Sequence, residues 1–369
     1  MSENIVLYRK YRPQSFSEII GQEHIVKTLT NSIISGNISH AYLFSGPRGS
    51  GKTTVARLFA KAINCEKLVD AEPCNKCDSC KEIMGSNSLD LMEIDAASHT
   101  GVDDIRELIS GIKFSPVKSK YKIFIIDECH QLSKSAANAL LKTLEEPPAH
   151  AIFILATTEA HKMIPTIVSR CQRFDFKRLQ VSEIIKKLGF ILNKEQIKFE
   201  KPVLSLIALN ARGSFRDAES ILDKCISFTA NDKQITVKEI KDLLGIVEVR
   251  QISEFVDNLI SKKTKEAVTM IHDILGEGVD LQEFTKTLVF YLRQVLMVKI
   301  NSDFLGQDSG LSEEEILKIK EQTGKLSEKE IQHMLELFID AENKMKYAAI
   351  LQLPLELAIV NISYQENNI

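Results

Sequence analysis

Gly46-Pro47-Arg48-Gly49-Ser50-Gly51-Lys52-Thr53 has the spacing G-x-x-x-x-G-K-[ST] of a loop that wraps phosphate. Its glycines let successive backbone N–H groups curl around phosphate oxygens without a Cβ in the way. Lys52 is placed to reach the β and γ phosphates, and the Thr53 hydroxyl to bind Mg²⁺. Thr54 continues into the helix that follows, whose N-terminus adds partial positive charge. Further on, the apolar run Ile123-Phe124-Ile125-Ile126 ends in Asp127-Glu128. Asp127 suits the Mg²⁺ shell, and Glu128 can polarise an attacking water as general base. Thr157 and Thr158 close the next apolar run, where one of them could hydrogen-bond the γ-phosphate or the water; the choice between the two stays open. His130 and Cys129 read as packing or surface residues.

Two arginines add to this set. Arg170, in Val168-Ser169-Arg170-Cys171, could reach the γ-phosphate of a neighbouring subunit as an arginine finger. Arg216 sits in Gly213-Ser214-Phe215-Arg216-Asp217, where Ser214 and Asp217 resemble a capping box. A cation in a helix's first turn opposes the helix dipole, so an anionic partner is expected beside it. Separately, Cys65, Cys74, Cys77 and Cys80 offer four thiolates in a short span. Two Cys-x2-Cys steps let a loop wrap a tetrahedral ion, and four soft ligands suit structural Zn²⁺. An iron–sulfur cluster or a redox dithiol pair would use the same residues.

These groups need a scaffold of parallel strands and covering helices. Residues 41–45, 89–95, 121–127, 151–158 and 172–176 read as strands, three of them nearly continuous apolar runs. Helical stretches lie between them, one running from near Ser133 to Pro147-Pro148, which predicts an α/β fold with a parallel sheet over residues 1–178. After Leu179 strand patterns stop. Residues 179–243 read as a small helical bundle and 244–369 as a longer all-α region, with helix connections at 275–280 and 302–312.

Composition is that of a globular protein: 369 residues, 44% hydrophobic and 26% charged. No apolar run approaches the ~20 residues that cross a bilayer, and the first residues lack a signal-peptide core, so a cytoplasmic location and no membrane partner are expected. Net charge is −3, without the basic excess usual in a protein that grips nucleic acid by itself, so any DNA contact is expected to be local or shared among subunits. Seven cysteines, four of them clustered, favour metal over disulfides in a reducing compartment.

The segments LYRKYRPQSFSEIIGQEHIVKTLTNSI, SHAYLFSGPRGSGKTTVARLFAKAINC, the four cysteines, IDECHQLSKSAANALLKTLEEPP, LATTEAHKMIPTIVSRC and GSFRDAESILDK follow in that order. Together they resemble the gamma/tau family of bacterial DNA polymerase III, densely from about Ile5 to Leu222 and more loosely beyond. The resemblance implies an AAA+ ATPase domain, a helical lid and an oligomerisation collar. It implies a pentameric ring with other gamma/tau copies, delta and delta-prime subunits, which opens the beta sliding clamp and closes it on primed DNA. The holoenzyme as a whole is a DNA-directed DNA polymerase, a nucleotidyltransferase. Gly46 to Thr53 match the family's Walker A loop, Asp127-Glu128 its Walker B pair, and Thr157 or Thr158 its sensor 1. Arg216 matches sensor 2, and Arg170 the arginine that acts in trans. Arg9, Arg12 and Pro13, with Gly21 and Gln22, look like the adenine-side contacts, and the four cysteines like the zinc ligands. ATP, Mg²⁺ and Zn²⁺ are therefore the expected cofactors. Ser98-His99-Thr100-Gly101 ahead of a helix fits a DNA phosphate contact, and fits plain capping equally. Long tau forms carry further segments that bind the helicase and the polymerase alpha subunit; those activities are not expected of this sequence. The other reading is a non-hydrolysing scaffold similar to delta-prime, against which the intact Gly51-Lys52-Thr53 and Arg216 speak.

Overall fold

The structure, a computed structural model, describes residues 6–98, 108, 110–112, 114–229, 234–244, 249–276, 278–301 and 313–364. Two compact units divide the chain, Met1–Thr236 and Val237–Ile369.

The first unit is built on a five-stranded parallel sheet. Its strands are β1 (Ala41–Ser45), β2 (Leu91–Asp95), β3 (Lys122–Asp127), β4 (Ala151–Thr157) and β5 (Gln172–Asp175), in the order β2-β3-β4-β1-β5. Every residue of β1 and β4 is buried, and so is all of β3 except its terminal Asp127, because helices cover both faces there. The edge strands β2 and β5 keep polar residues outward. Side chains alternate across the sheet. Tyr42 and Phe44 of β1 pack with Phe59, Phe174 and Phe176 under the helices Glu23–Ser35 and Lys52–Ile63. Ala41 and Leu43 face the opposite side, with Phe124, Phe153 and the helix Lys134–Glu145. The rings of Tyr42 and Phe59 lie 4.8 Å apart and those of Phe124 and Phe153 5.4 Å apart. The helix Lys134–Glu145 starts where the Ser133 hydroxyl accepts the Ala136 N–H, and it stops before Pro147-Pro148.

Three helices follow the sheet: Val181–Lys194, Lys201–Asn210 and Phe215–Phe228. The first is opened by a reciprocal capping box between Gln180 and Glu183. One detail departs from the sequence reading. Lys198–Phe199 and Gln234–Ile235 pair as a short parallel ladder, although no strand was expected beyond Leu179. Two residues are too few to show a period of two, so the pairing leaves no sequence signal.

In the second unit the helices Val249–Ile260, Thr264–Gly276, Leu281–Ile300, Glu313–Lys325, Glu328–Met345 and Leu353–Tyr364 enclose a core centred on Phe255, Phe284 and Phe338. Asp280 caps the third of these through the Gln282 N–H. The connection expected at 302–312 lies outside the described residues. Among those described, no helix is long and apolar enough to cross a membrane.

Candidate nucleotide site and cysteine cluster

Parallel pairing brings the carboxyl ends of β1, β3 and β4 to one edge of the sheet, where Ser45 is in register with Thr157. A cavity of about 600 Å³ opens there. Arg48, Gly49, Ser50, Gly51, Lys52, Thr53 and Thr54 line it, together with Asp127 and Glu128. Gly46 and Pro47 do not line it; their carbonyls accept from Lys52 Nζ at 2.9 and 3.0 Å and so aim the ammonium. Lys52 is 6% exposed, and burial lowers its pKa against the opposing pull of Glu128 and Asp127. The loop's backbone is left-handed at Gly49 (φ +73°) and at Gly51 (φ +99°), which begins the helix Lys52–Ile63. At Gly49 a Cβ would also lie 1.9 Å from Ser214 Oγ. The bare glycine lets the start of helix Phe215–Phe228 press on the loop, with the Phe215 N–H donating to the Gly49 carbonyl at 3.2 Å.

Thr53 Oγ1 donates to Asp127 Oδ2 at 2.7 Å, so the two oxygen groups that suit Mg²⁺ are already side by side. Glu128 is held in a left-handed conformation (φ +47°) with its N–H on Asp127 Oδ1. Its carboxylate accepts from the Thr158 hydroxyl at 2.8 Å and the Thr158 N–H at 3.2 Å. Thr157 is fully buried and bonds instead to His130 Nδ1 (3.0 Å) and to the Glu159 N–H (3.0 Å). Neither threonine lines the cavity. His130, read from sequence as a packing or surface residue, joins this group: Nδ1 lies 3.4 Å from Glu128 Oε2 and Nε2 lies 3.1 Å from Glu159 Oε2.

Arg216 lines the cavity from the first turn of its helix, its guanidinium 5.3 Å from the centre of the Tyr8 ring. Ser214 caps that helix through the Asp217 N–H. Arg9, Arg12 and Pro13 line the cavity as well. Gly21 and Gln22 do not. Gln22 is buried and clasps Lys177, donating to its carbonyl (2.8 Å) and accepting its N–H (3.2 Å), while Gly21 packs against Leu179 and Glu183. Arg170 is also away from this cavity; it donates to Glu145 Oε1 at 2.6 Å and to the Thr166 carbonyl at 2.9 Å. Of the Ser98–Gly101 stretch only Ser98 is described; the rest lies outside the described residues.

Tyr8, Lys187 and Glu219 line the cavity and were missed from sequence. Glu219 is 6% exposed, and burial raises its carboxyl to about 7, with Lys187 and Arg12 pulling the other way. Its one available signal was the step of three from Arg216, which puts both on one helix face. Lys187 had no such signal; its ammonium donates to the Tyr11 carbonyl at 2.9 Å, a contact between segments far apart in the chain.

A second cluster lies apart from the cavity lining. The sulfurs of Cys65, Cys74, Cys77 and Cys80 are all within 4.8 Å of one another, close to the ~3.8 Å edge of a tetrahedron with metal–sulfur bonds of about 2.3 Å. The N–H groups of Lys76 and Cys77 lower the Cys74 thiol to about 6, whereas burial raises those of Cys65 and Cys80.

Comparison with known proteins bears on the whole chain. Residues 21–180 match the family described as DNA polymerase III, delta subunit. Residues 183–231 match the DNA polymerase III clamp loader subunit, ATPase lid domain, and 235–368 match DNA polymerase III subunits gamma and tau domain III. The DNA polymerase III subunit gamma of Buchnera aphidicola subsp. Acyrthosiphon pisum is 37% identical over 97% of this chain and 98% of its own length. The chain belongs to the gamma/tau family of DNA polymerase III subunits. Within that family, the tau subunit of Bacillus subtilis is 42% identical over 96% of this chain and the tau subunit of Escherichia coli 38% identical over 96%. The chain spans 62% and 54% of the length of those two relatives.

Proposed function

We propose that this gamma/tau family member is an AAA+ ATPase, the motor subunit of a clamp loader that uses ATP to place a sliding clamp on primed DNA. The observation that carries the reading is the convergence of Lys52, Thr53, Asp127, Glu128 and Arg216 on one cavity, closed on one side by the helix that bears Arg216. In this reading the loop from Gly46 to Thr54 cradles the phosphates, and Lys52 meets the β and γ oxygens. Thr53 and Asp127 would hold Mg²⁺, which neutralises phosphate charge when bound. Glu128 accepts the proton of the attacking water. The Thr158 hydroxyl, through its 2.8 Å bond, sets where the Glu128 carboxylate points, which supports Thr158 over Thr157 as the sensing residue. Arg216 meets the γ-phosphate from the same chain.

Arg170 serves the site of a neighbouring copy. Its position away from its own chain's cavity supports that role. The chain then works as an ATPase domain (1–178), a lid (179–243) and a collar (244–369), with further gamma/tau copies and delta-type subunits as ring partners. Zn²⁺ in the four-cysteine cluster is structural, since four sulfur ligands leave no open position. The test is ATP turnover by the purified chain with its clamp and delta-type partners, with and without primed DNA. Strong stimulation only when clamp and primed DNA are both present supports the motor. Nucleotide binding without stimulated turnover would replace it with a scaffold.

A further inference from the structure

The loop that carries the cysteines reaches back to the nucleotide cavity. Glu72 lies between Cys65 and Cys74, and its carboxylate accepts the N–H groups of Phe16 and Ser17, both at 2.8 Å. Those two N–H groups open the short helical turn Phe16–Glu18, so Glu72 caps it from a distant part of the chain. Asn75, next to Cys74, donates to the Gln14 carbonyl at 3.2 Å. Lys61, on the helix that follows the phosphate loop, donates to the same carbonyl at 2.9 Å and to Gln14 Oε1 at 3.0 Å. Lys61 is 2% exposed, so its ammonium depends on these two bonds to Gln14. Gln14 and Glu18 are themselves part of the cavity wall, as are Ile19 and Ile20 just after them.

The loop depends on constraint to hold this shape. Asp70 (φ +50°), Ala71 (φ +63°) and Asn75 (φ +58°) are left-handed without being glycine. Such conformations persist only where the surroundings over-determine them. Here the surroundings are the Val69–Glu72 backbone pair, the buried Ala71 methyl and the four converging sulfurs. Asn75 is enclosed between Cys74 and Cys77, so closing the sulfurs on an ion fixes its backbone directly.

We infer that the cysteine module braces the Gln14–Glu18 wall of the nucleotide cavity through Glu72 and Asn75, so that metal held by the four cysteines and nucleotide held in the cavity stabilise one another. The inference rests on the reading of the cavity as an ATP site. It gives the module a local task in positioning, with no part in the chemistry.

The experiment is calorimetric titration of the full chain with Mg²⁺ and a slowly hydrolysed ATP analogue. Four samples are compared: parent, parent stripped of metal by a chelator with release followed by colour, Glu72→Ala, and Lys52→Ala. Stripping and Glu72→Ala are each expected to weaken nucleotide binding roughly five- to fifty-fold, within the usual range of site-to-site coupling. Glu72→Ala retains all four cysteines and is expected to keep its metal, so it decides the matter even if stripping unfolds the chain. Coupling is reciprocal. Saturating nucleotide should therefore tighten metal binding by the parent, read as the equilibrium share of metal kept against the chelator, and should do so far less in Glu72→Ala. Affinity within twofold of the parent in a metal-loaded Glu72→Ala chain overturns the inference while leaving the ATP site intact. Unchanged affinity in Lys52→Ala would instead remove the ATP-site reading, and the inference with it.

Discussion

Replacing Glu219 by Gln should stabilise the first unit, and the gain should depend on pH. Glu219 is buried in the cavity wall, one turn after Arg216, and its carboxyl is raised from the ordinary 4.5 to about 7. A folded pKa above the unfolded one means that the folded state keeps a proton the unfolded state releases. Below about pH 4.5 both states are protonated and the residue carries no penalty. As pH rises through the unfolded value the unfolded chain ionises first, and stability falls until the folded group also ionises near 7. A tenfold difference in proton affinity between the two states is worth about 1.36 kcal/mol, so the penalty levels off at roughly 3 kcal/mol above neutrality. Glu219→Gln removes the ionisation. Its advantage over the parent should therefore grow by roughly 2–3 kcal/mol between pH 5 and pH 8, or about 5–10 °C in the melting temperature of a unit this size. Calorimetric unfolding of both proteins across that range, following the transition of the first unit, measures the gap. Parallel pH profiles would refute the reasoning, because a lost contact without a displaced titration moves both curves equally.

Gly49→Ala should weaken nucleotide binding at least tenfold, since its Cβ collides with Ser214 Oγ and its backbone sits at φ +73°; direct titration with ATP checks this. Thr158→Val, which deletes the hydroxyl donated to Glu128, should lower turnover about tenfold and leave nucleotide affinity unchanged in single-turnover and binding assays. Thr157→Val should instead cost stability, about 1–3 kcal/mol by denaturant unfolding, because it strips a buried bonding partner from His130 and from the Glu159 N–H. Elemental analysis of the purified chain should return one zinc per chain, falling below half in Cys80→Ser; iron in its place would overturn the zinc assignment.

Much of the candidate nucleotide site was legible in the sequence because its parts are local. The phosphate loop needs glycines, a lysine and a threonine at set intervals, and Gly46 to Thr53 carry that requirement in eight consecutive residues. The strand ending in Asp127-Glu128, and the helix opened by Ser133, follow from patterns a few residues long. The four cysteines likewise declare a cluster through spacing alone, and their sulfurs do converge. Long-range geometry left no such trace. Thr157 and Thr158 are equivalent in sequence. Only parallel pairing and the placement of His130 bury one and turn the other onto Glu128. Gln22, expected beside the base, is drawn off to clasp Lys177 across more than 150 positions of chain, a partner that no local pattern names. Glu219 and Lys187 come to the cavity because two lid helices fold over it. Glu72 is an ordinary acidic residue until folding sets it against the N–H groups of Phe16 and Ser17. Residue types and short spacings determined the available chemistry, since phosphate binding, metal ligation and capping are short-range demands. Which side chains face which cavity was decided by the tertiary structure, because burial and hydrogen-bond partners depend on segments that meet only once the chain has folded.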